Sequence, residues 1–522
     1  MRKQCSAFWK EIKESARGFA AFAGGHKGVI IVLVLALLFV YGAQIFYYSV
    51  SIDGEAALIS EREILKSWLT IDRYGLLITK TLFGLDRFVP FVSNFLMVLA
   101  LGFSAFFFDF CVNEWAGSSK RYRLFYYIFP AAYITAPCLA EQFYFSLQSF
   151  EVAWAMLLCI FSVYCFSRRL FRKNSILWTV PGFICMIWAF ATYQSFVGVF
   201  VAVALVSFLL VYQNGGITVP KKNFWLFCGL KYIAVFVIGF AAYMLIGRLI
   251  RENFNLVSAY LDNQMVWKTE GASAALHYIL GDAARIYAGF MPTFFSRLFT
   301  PVMLLCTLLL IVRGRRMKRS GFLIYLAACA LLMVSPLFLS VYSGSHQPLR
   351  GQLTYVFVFA FFLAGLTTVT RKALSAVCCL IGAVVSLYHG QTVTQLFHTA
   401  YVTYNQDRDL AAAVYNRVSQ VGADAGMEEY TVVFVGTHSP VFTEDALLGE
   451  MIGKSFFEWD SASYYGSTGR IIDFCDPLGY EMEIPGEAQA AYAQEQAASM
   501  PSWPATGSVQ ASDGIIIVKL SE

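Results

Sequence analysis

Long apolar runs recur along this chain too often for any water-soluble fold. A bilayer core needs roughly 20 apolar residues per helix. About eleven such runs can be counted, centred on 28 to 48, 90 to 109, 124 to 139, 151 to 167, 176 to 192, 196 to 212, 226 to 247, 298 to 312, 321 to 341, 353 to 370 and 373 to 390. The stretch Ala191-Thr192-Tyr193-Gln194-Ser195 between two of them leaves open a re-entrant hairpin in place of two spans. Composition agrees, with 58% of the 522 residues hydrophobic and only 14% charged, against roughly 25% charged in soluble domains. A mean hydropathy of +0.59 excludes a disordered chain, and 38 Gly and 14 Pro without a period exclude a collagen-like one. The expected fold class is mainly α, a polytopic transmembrane helical bundle.

Lys and Arg favour cytoplasmic connections, and here they fall in every second gap. Arg2, Lys3, Lys10, Lys13, Arg17 and Lys27 precede the first run; Lys120, Arg121 and Arg123, then Arg168, Arg169, Arg172 and Lys173, Lys221 and Lys222, the stretch from Arg313 to Arg319, and Arg371 with Lys372 follow. The short gaps between, 140 to 150 and 192 to 196, are nearly free of them. This predicts a cytoplasmic basic tail over 1–27, an inside N-terminus and an outside C-terminus. A basic leader of about 27 residues without a clear A-x-A site argues for a retained first helix over a cleaved signal.

The inside connections are too short to fold, whereas the expected external segments are long: loops 49–89 and 248–297, and a tail over 391–522. Residues 28–390 therefore read as the transmembrane catalytic module and 391–522 as a small extracytoplasmic α/β domain. In the tail, Asp409 to Gln420 has a helical pattern, Thr431-Val-Val-Phe-Val-Gly436 a buried-strand pattern, the Ala- and Gln-rich stretch from Pro485 a second helix, and Ile515-Ile-Ile-Val-Lys-Leu520 a last strand.

Chemistry concentrates just after the first run, where Asp53 and Glu55 precede Arg62, Arg73 and Lys80. If 51 to 56 is extended the two carboxylates share a side; if helix has begun they diverge. Residues 56 to 69 suit a helix lying in the membrane interface, with Ala57, Ile64, Leu65 and Trp68 near one stripe. One reading makes Asp53 and Glu55 mere helix-cap carboxylates. The other makes one of them a general base, with the nearby cations as a phosphate clamp. Further polar groups at the expected membrane margins are Glu141, Tyr193, Gln194, Arg285, Arg297, His346 and Arg350. Singly each suits snorkelling or a helix-end bond; together they could line one cavity.

Other chemistries lack their residues. There is no GxGxxG after a strand, no GxxxxGK[ST], no HExxH, and the six His have no metal-ligand spacing. Neither a nucleotide nor a nucleic acid is an expected ligand, and Gly436 with His438 reads as a strand end. No cofactor is expected; Asp53 and Glu55 could bind Mg²⁺, but two carboxylates make a thin ligand set. The 12 Cys form no CxxC pair and no disulfide framework, and Cys475 stands alone in the tail.

Ile52-Asp-Gly-Glu, Trp68 and Arg73-Tyr-Gly75, then Glu141-Gln-Phe-Tyr-Phe145, Thr192-Tyr-Gln-Ser195, and Gly453-Lys-Ser-Phe-Phe457-Glu-Trp459-Asp with Leu478-Gly479 resemble the bacterial type II glucosyl transferase family of O-antigen modification. The resemblance spans nearly the whole chain and rests on the order of these motifs and the span layout. It implies a C-type (GT-C-like) glycosyltransferase that moves a sugar, here glucose, from a polyprenyl-phosphate carrier to an envelope glycan outside the membrane. It would make Asp53 or Glu55 the base and Arg73 a donor-phosphate ligand. Asp72 departs from the pattern, since a small residue is expected there and a carboxylate weakens a phosphate clamp.

Physical reasoning leads to the same chemistry. No nucleotide-sugar pool exists outside the membrane, so an activated sugar must arrive on a lipid, and its phosphate is a competent leaving group. The enzyme then needs a base, cations for the phosphate and a groove for the prenyl tail. Arg62, Arg73, Lys80 and Arg350 are the phosphate candidates. The expected partners are the carrier-linked donor, the glycan acceptor and the bilayer, with a carrier-sugar synthase and a flippase upstream. Two other readings stand: a glycolipid flippase or exporter, which should show internal repeats and broken helices, and a non-catalytic assembly subunit.

Overall fold

The computed structural model describes residues 2–47, 49–59, 61–172, 174–215, 223–257, 265–461 and 466–522, except for the side chains of 2, 3 and 61–65. Lys173, Lys221 and Lys222 lie outside the described residues. Each apolar run carries helix. Among the described residues, seven helices are long and apolar enough to cross a bilayer: Lys27–Phe46, Pro90–Trp115, Ser146–Arg172, Phe196–Gln213, Phe224–Asn253, Phe322–Ser343 and Lys372–Asp424. Phe125–Ile134, Ile176–Thr192 and Leu353–Leu366 are apolar but shorter. The first of these contains Pro130 and is followed by Pro137, which has no N–H to continue a helix. Phe299–Arg316 has Arg313, Arg315 and Arg316 in its last turn. The molecule is a helical polytopic membrane protein.

The helices bury their aromatic faces against one another. Phe108, Phe129 and Phe357 pack from three different helices, with ring centroids 4.4 Å apart for Phe108 and Phe129. Leu35, Phe39, Ile233, Val237, Leu305, Leu308, Leu380 and Leu387 stay exposed. A soluble protein rarely leaves so much apolar surface uncovered, so these faces belong to lipid.

The two expected external loops are largely helical. Loop 49–89 contains Gly54–Ile59, Glu61–Thr70 and Tyr74–Phe83 in place of one helix over 56–69. Ala57 and Trp68 pack with Leu76, Phe88 and Leu147 in a small apolar cluster, while Ile64 and Leu65 have side chains outside the described residues. Loop 248–297 contains Ala272–Ala288.

Near the C-terminus lie three strands, β1 (Val432–Val435), β2 (Val509–Ser512) and β3 (Ile515–Lys519), ordered β1-β3-β2. β1 pairs parallel to β3, and β2 antiparallel to it. One face, with Phe434, Ile516 and Val518, packs on Ala411, Val414 and Val418 of the long Lys372–Asp424 helix and on Ile471, Ile472 and Phe474. The other face, with Val433, Ile515 and Ile517, packs on Ala493, Ala497 and Met500. The helix under the sheet is the same one that ends the bundle: it has 53 residues and passes residue 390 without a break.

Candidate functional site

The Gly54–Ile59 helix starts one residue after Asp53, whose φ of +68° is in the left-handed region, which Asp tolerates better than most residues. Helix begun at this point should set Asp53 and Glu55 apart, yet both turn to one cation. Arg470 Nη1 donates to Glu55 Oε1 at 2.7 Å and lies 3.1 Å from Asp53 Oδ1. Arg470 Nε donates to Asp460 Oδ2 at 2.6 Å. Arg470 stands on the Thr468–Cys475 helix, which buries Ile471, Ile472, Phe474 and Cys475 against the sheet unit. The two loop carboxylates are thus bound across the contact between bundle and sheet unit.

Their environments differ. The Glu55 side chain is 1% exposed and that of Asp53 53%, and Glu55 Oε2 is buried without a partner. Burial pushes the Glu55 carboxyl up from 4.5 to about 7, with the Arg470 cation pulling the other way. Burial also works against the Arg470 charge, but Asp460, Glu55 and Asp53 outweigh it and hold the guanidinium protonated. An accessible carboxylate beside a buried one neutralised by Arg is an arrangement able to accept a proton from a substrate hydroxyl at Asp53. Among the described residues, no three His, Cys, Asp or Glu side chains gather as a metal-ligand set.

Arg73 begins the Tyr74–Phe83 helix. Its guanidinium lies 4.6 Å over the Tyr193 ring, and its Nε is buried without a partner. Gln194 Nε2 donates to the Ile71 carbonyl at 2.9 Å, fastening the same turn. Asp72, the expected weak point, is ion-paired with Arg251, so its charge is neutralised away from Arg73. Gly75 explains how the helix gets this close: a Cβ there would sit 2.6 Å from both Thr192 N and Trp188 O. Gly75→Ala should therefore cost about 1–3 kcal/mol, the scale of overpacking, read as a lower unfolding midpoint of the detergent-solubilised chain.

Lys80 is 3% exposed and pairs with Glu151 at 2.9 Å. It is built into the bundle, apart from Asp53. Arg62 belongs to the Glu61–Thr70 helix, and its side chain lies outside the described residues. Arg350 lies 5.0 Å over the Phe145 ring, with Nη1 buried and unpartnered. Arg297 is exposed.

Glu141, Arg285 and His346 meet along a second seam between bundle and sheet unit. Glu141 accepts from the backbone N–H of Met451 at 3.1 Å and of Ile452 at 3.4 Å. Burial pushes its carboxyl up to about 7 against those two donors. Glu450 pairs with Arg285 at 3.1 Å and accepts from Leu349 N at 2.7 Å. Arg285 also contacts His346, and His346 Nδ1 lies 2.6 Å from Asp282 Oδ1. The structure uses these groups to seat residues 449–452.

Sequence reasoning missed Arg470, although a signal existed: it is the only Lys or Arg between Lys454 and Lys519. It also missed Glu450 and Asp282, which no local pattern marks. Cys475 is free and buried, its thiol pushed up to about 12 by burial.

No curated protein and no solved structure matches the chain. The family model of glucosyl transferase GtrII matches residues 42–368, a stretch that includes Asp53, Glu55, Arg73, Glu141, Tyr193, Gln194 and Arg350 and ends before Arg470. The chain therefore belongs to the glucosyl transferase GtrII family.

Proposed function

We propose that this glucosyltransferase moves glucose from a polyprenyl-phosphate carrier to an envelope glycan on the outer side of a bacterial cytoplasmic membrane. In this reading the N-terminus is cytoplasmic and the sheet unit extracytoplasmic. The observation that carries the reading is the convergence of Asp53 and Glu55 on Arg470, beside a loop that also bears Arg73. Asp53, the accessible carboxylate, takes the proton of the acceptor hydroxyl as it attacks the anomeric carbon. Arg73 and Arg350 receive the departing phosphate; each has a buried guanidinium nitrogen with no protein partner, and such groups call for a ligand or water. Neither a metal nor an organic cofactor has a part in it. The sheet unit covers the site and takes part in choosing the glycan.

The test is transfer of labelled glucose from synthetic polyprenyl-phosphate glucose to an envelope glycan extract by the purified chain. Carrier-linked glucose should donate and a nucleotide-linked glucose should not. Transfer from the nucleotide sugar alone would overturn the reading.

A further inference from the structure

We infer that Arg470 is a positioning residue of the reaction centre, supplied by the sheet unit to hold the Asp53 and Glu55 carboxylates side by side. The inference rests on the functional reading above. Two carboxylates that meet at one nitrogen, 2.7 and 3.1 Å from Arg470 Nη1, cannot both stay ionised without a cation between them. Glu55 is 1% exposed, so water cannot do that work. Asp460 holds Nε at 2.6 Å and fixes the direction in which the guanidinium fork points.

Among the described residues, the other titratable groups acting on this centre are acidic or neutral. Asp473 on Arg470's own helix acts on it electrostatically, as does Asp53 from the loop, and the Tyr144 hydroxyl acts on Glu55 from the Cys138–Tyr144 helix. Arg470 is thus the single cation acting on Glu55 among these groups. It lies outside the matched stretch 42–368, which makes the C-terminal unit part of the working site and more than a cover.

The consequence is a pH effect of known sign. Arg470 lowers the Glu55 pKa, which stands at about 7, so removing the cation raises it. The acidic limb of the transfer rate then moves to higher pH. In the purified full-length chain, Arg470→Met should lower kcat roughly 10- to 100-fold, the size of one or two lost charge-assisted hydrogen bonds. The acidic limb should shift upward and donor KM change little. Arg470→Lys should restore part of both, and Asp460→Asn should give a smaller shift in the same direction. An unshifted limb in Arg470→Met, or a Lys variant no better than Met, would overturn the inference.

A second measurement needs no transfer. Protonated carboxyls react with a carbodiimide and an amine, so mass spectrometry at pH 6 should show several-fold more labelling of Glu55 in Arg470→Met than in wild type or Arg470→Lys. Equal labelling in all three would reject the role of Arg470. If wild type transfers nothing from carrier-linked sugars, the functional reading falls, while the labelling still decides for or against Arg470.

Discussion

Asp53→Asn should remove sugar transfer almost completely while leaving a folded chain that still binds donor. Asn keeps the volume of the side chain and still offers an oxygen to Arg470, but it cannot take a proton from a hydroxyl. Loss of a positioned general base costs about 10²- to 10⁴-fold in rate. Glu55→Gln is the matched control: Glu55 is buried, and a Gln carbonyl can still accept from Arg470. Its kcat should fall less than that of Asp53→Asn, and its pH profile should lose the ionisation that stands at about 7 in wild type. Rates measured over pH 5 to 9 on both variants decide the roles. If Glu55→Gln were the more damaged of the two, the base would be Glu55.

The largest loss of stability should come from Lys80→Met. Lys80 and Glu151 form a 2.9 Å pair with side chains 4% and 0% exposed, and the Lys80 ammonium lies 5.7 Å from the Trp68 ring. Removing one partner strands the other charge in a low-dielectric interior, which typically costs about 3–5 kcal/mol. Replacing both should cost far less, because the expensive state is the lone ion. The expected order of unfolding midpoints in detergent is therefore wild type, then Lys80→Met with Glu151→Met, then Lys80→Met alone. A single variant as stable as the double would show that Glu151 carries no charge in the folded chain.

The parts legible in the sequence were those written in local periodicity. Eleven apolar runs became helices, and the buried-strand patterns at Thr431–Gly436 and Ile515–Leu520 became β1 and β3. The pattern did not give β2, whose four residues Val-Gln-Ala-Ser are too short to carry an alternation. Nor did it mark residue 390 as the middle of a helix, because apolarity changes there while helical periodicity does not. The carboxylates of the site were found because they stand close to Arg73 in sequence. The cation that pairs with them was not, because Glu55 and Arg470 are 415 positions apart. Lys80 shows the converse: it is near Asp53 in sequence, but helix geometry turns it inward to Glu151. Asp72 looked like a fault beside Arg73 until Arg251 supplied its counter-charge.

The unbroken helix Lys372–Asp424 has a mechanical consequence. At 1.5 Å per residue its 53 residues make a rod of about 80 Å, without a proline to kink it. A unit hung on a flexible linker samples a volume set by chain statistics. This one is mounted on a stiff lever arm whose other end is clasped by the bundle. The guanidinium that meets Asp53 and Glu55 is therefore delivered by angle and not by diffusion, and a small tilt of the embedded end is multiplied along the shaft before it reaches those two carboxylates.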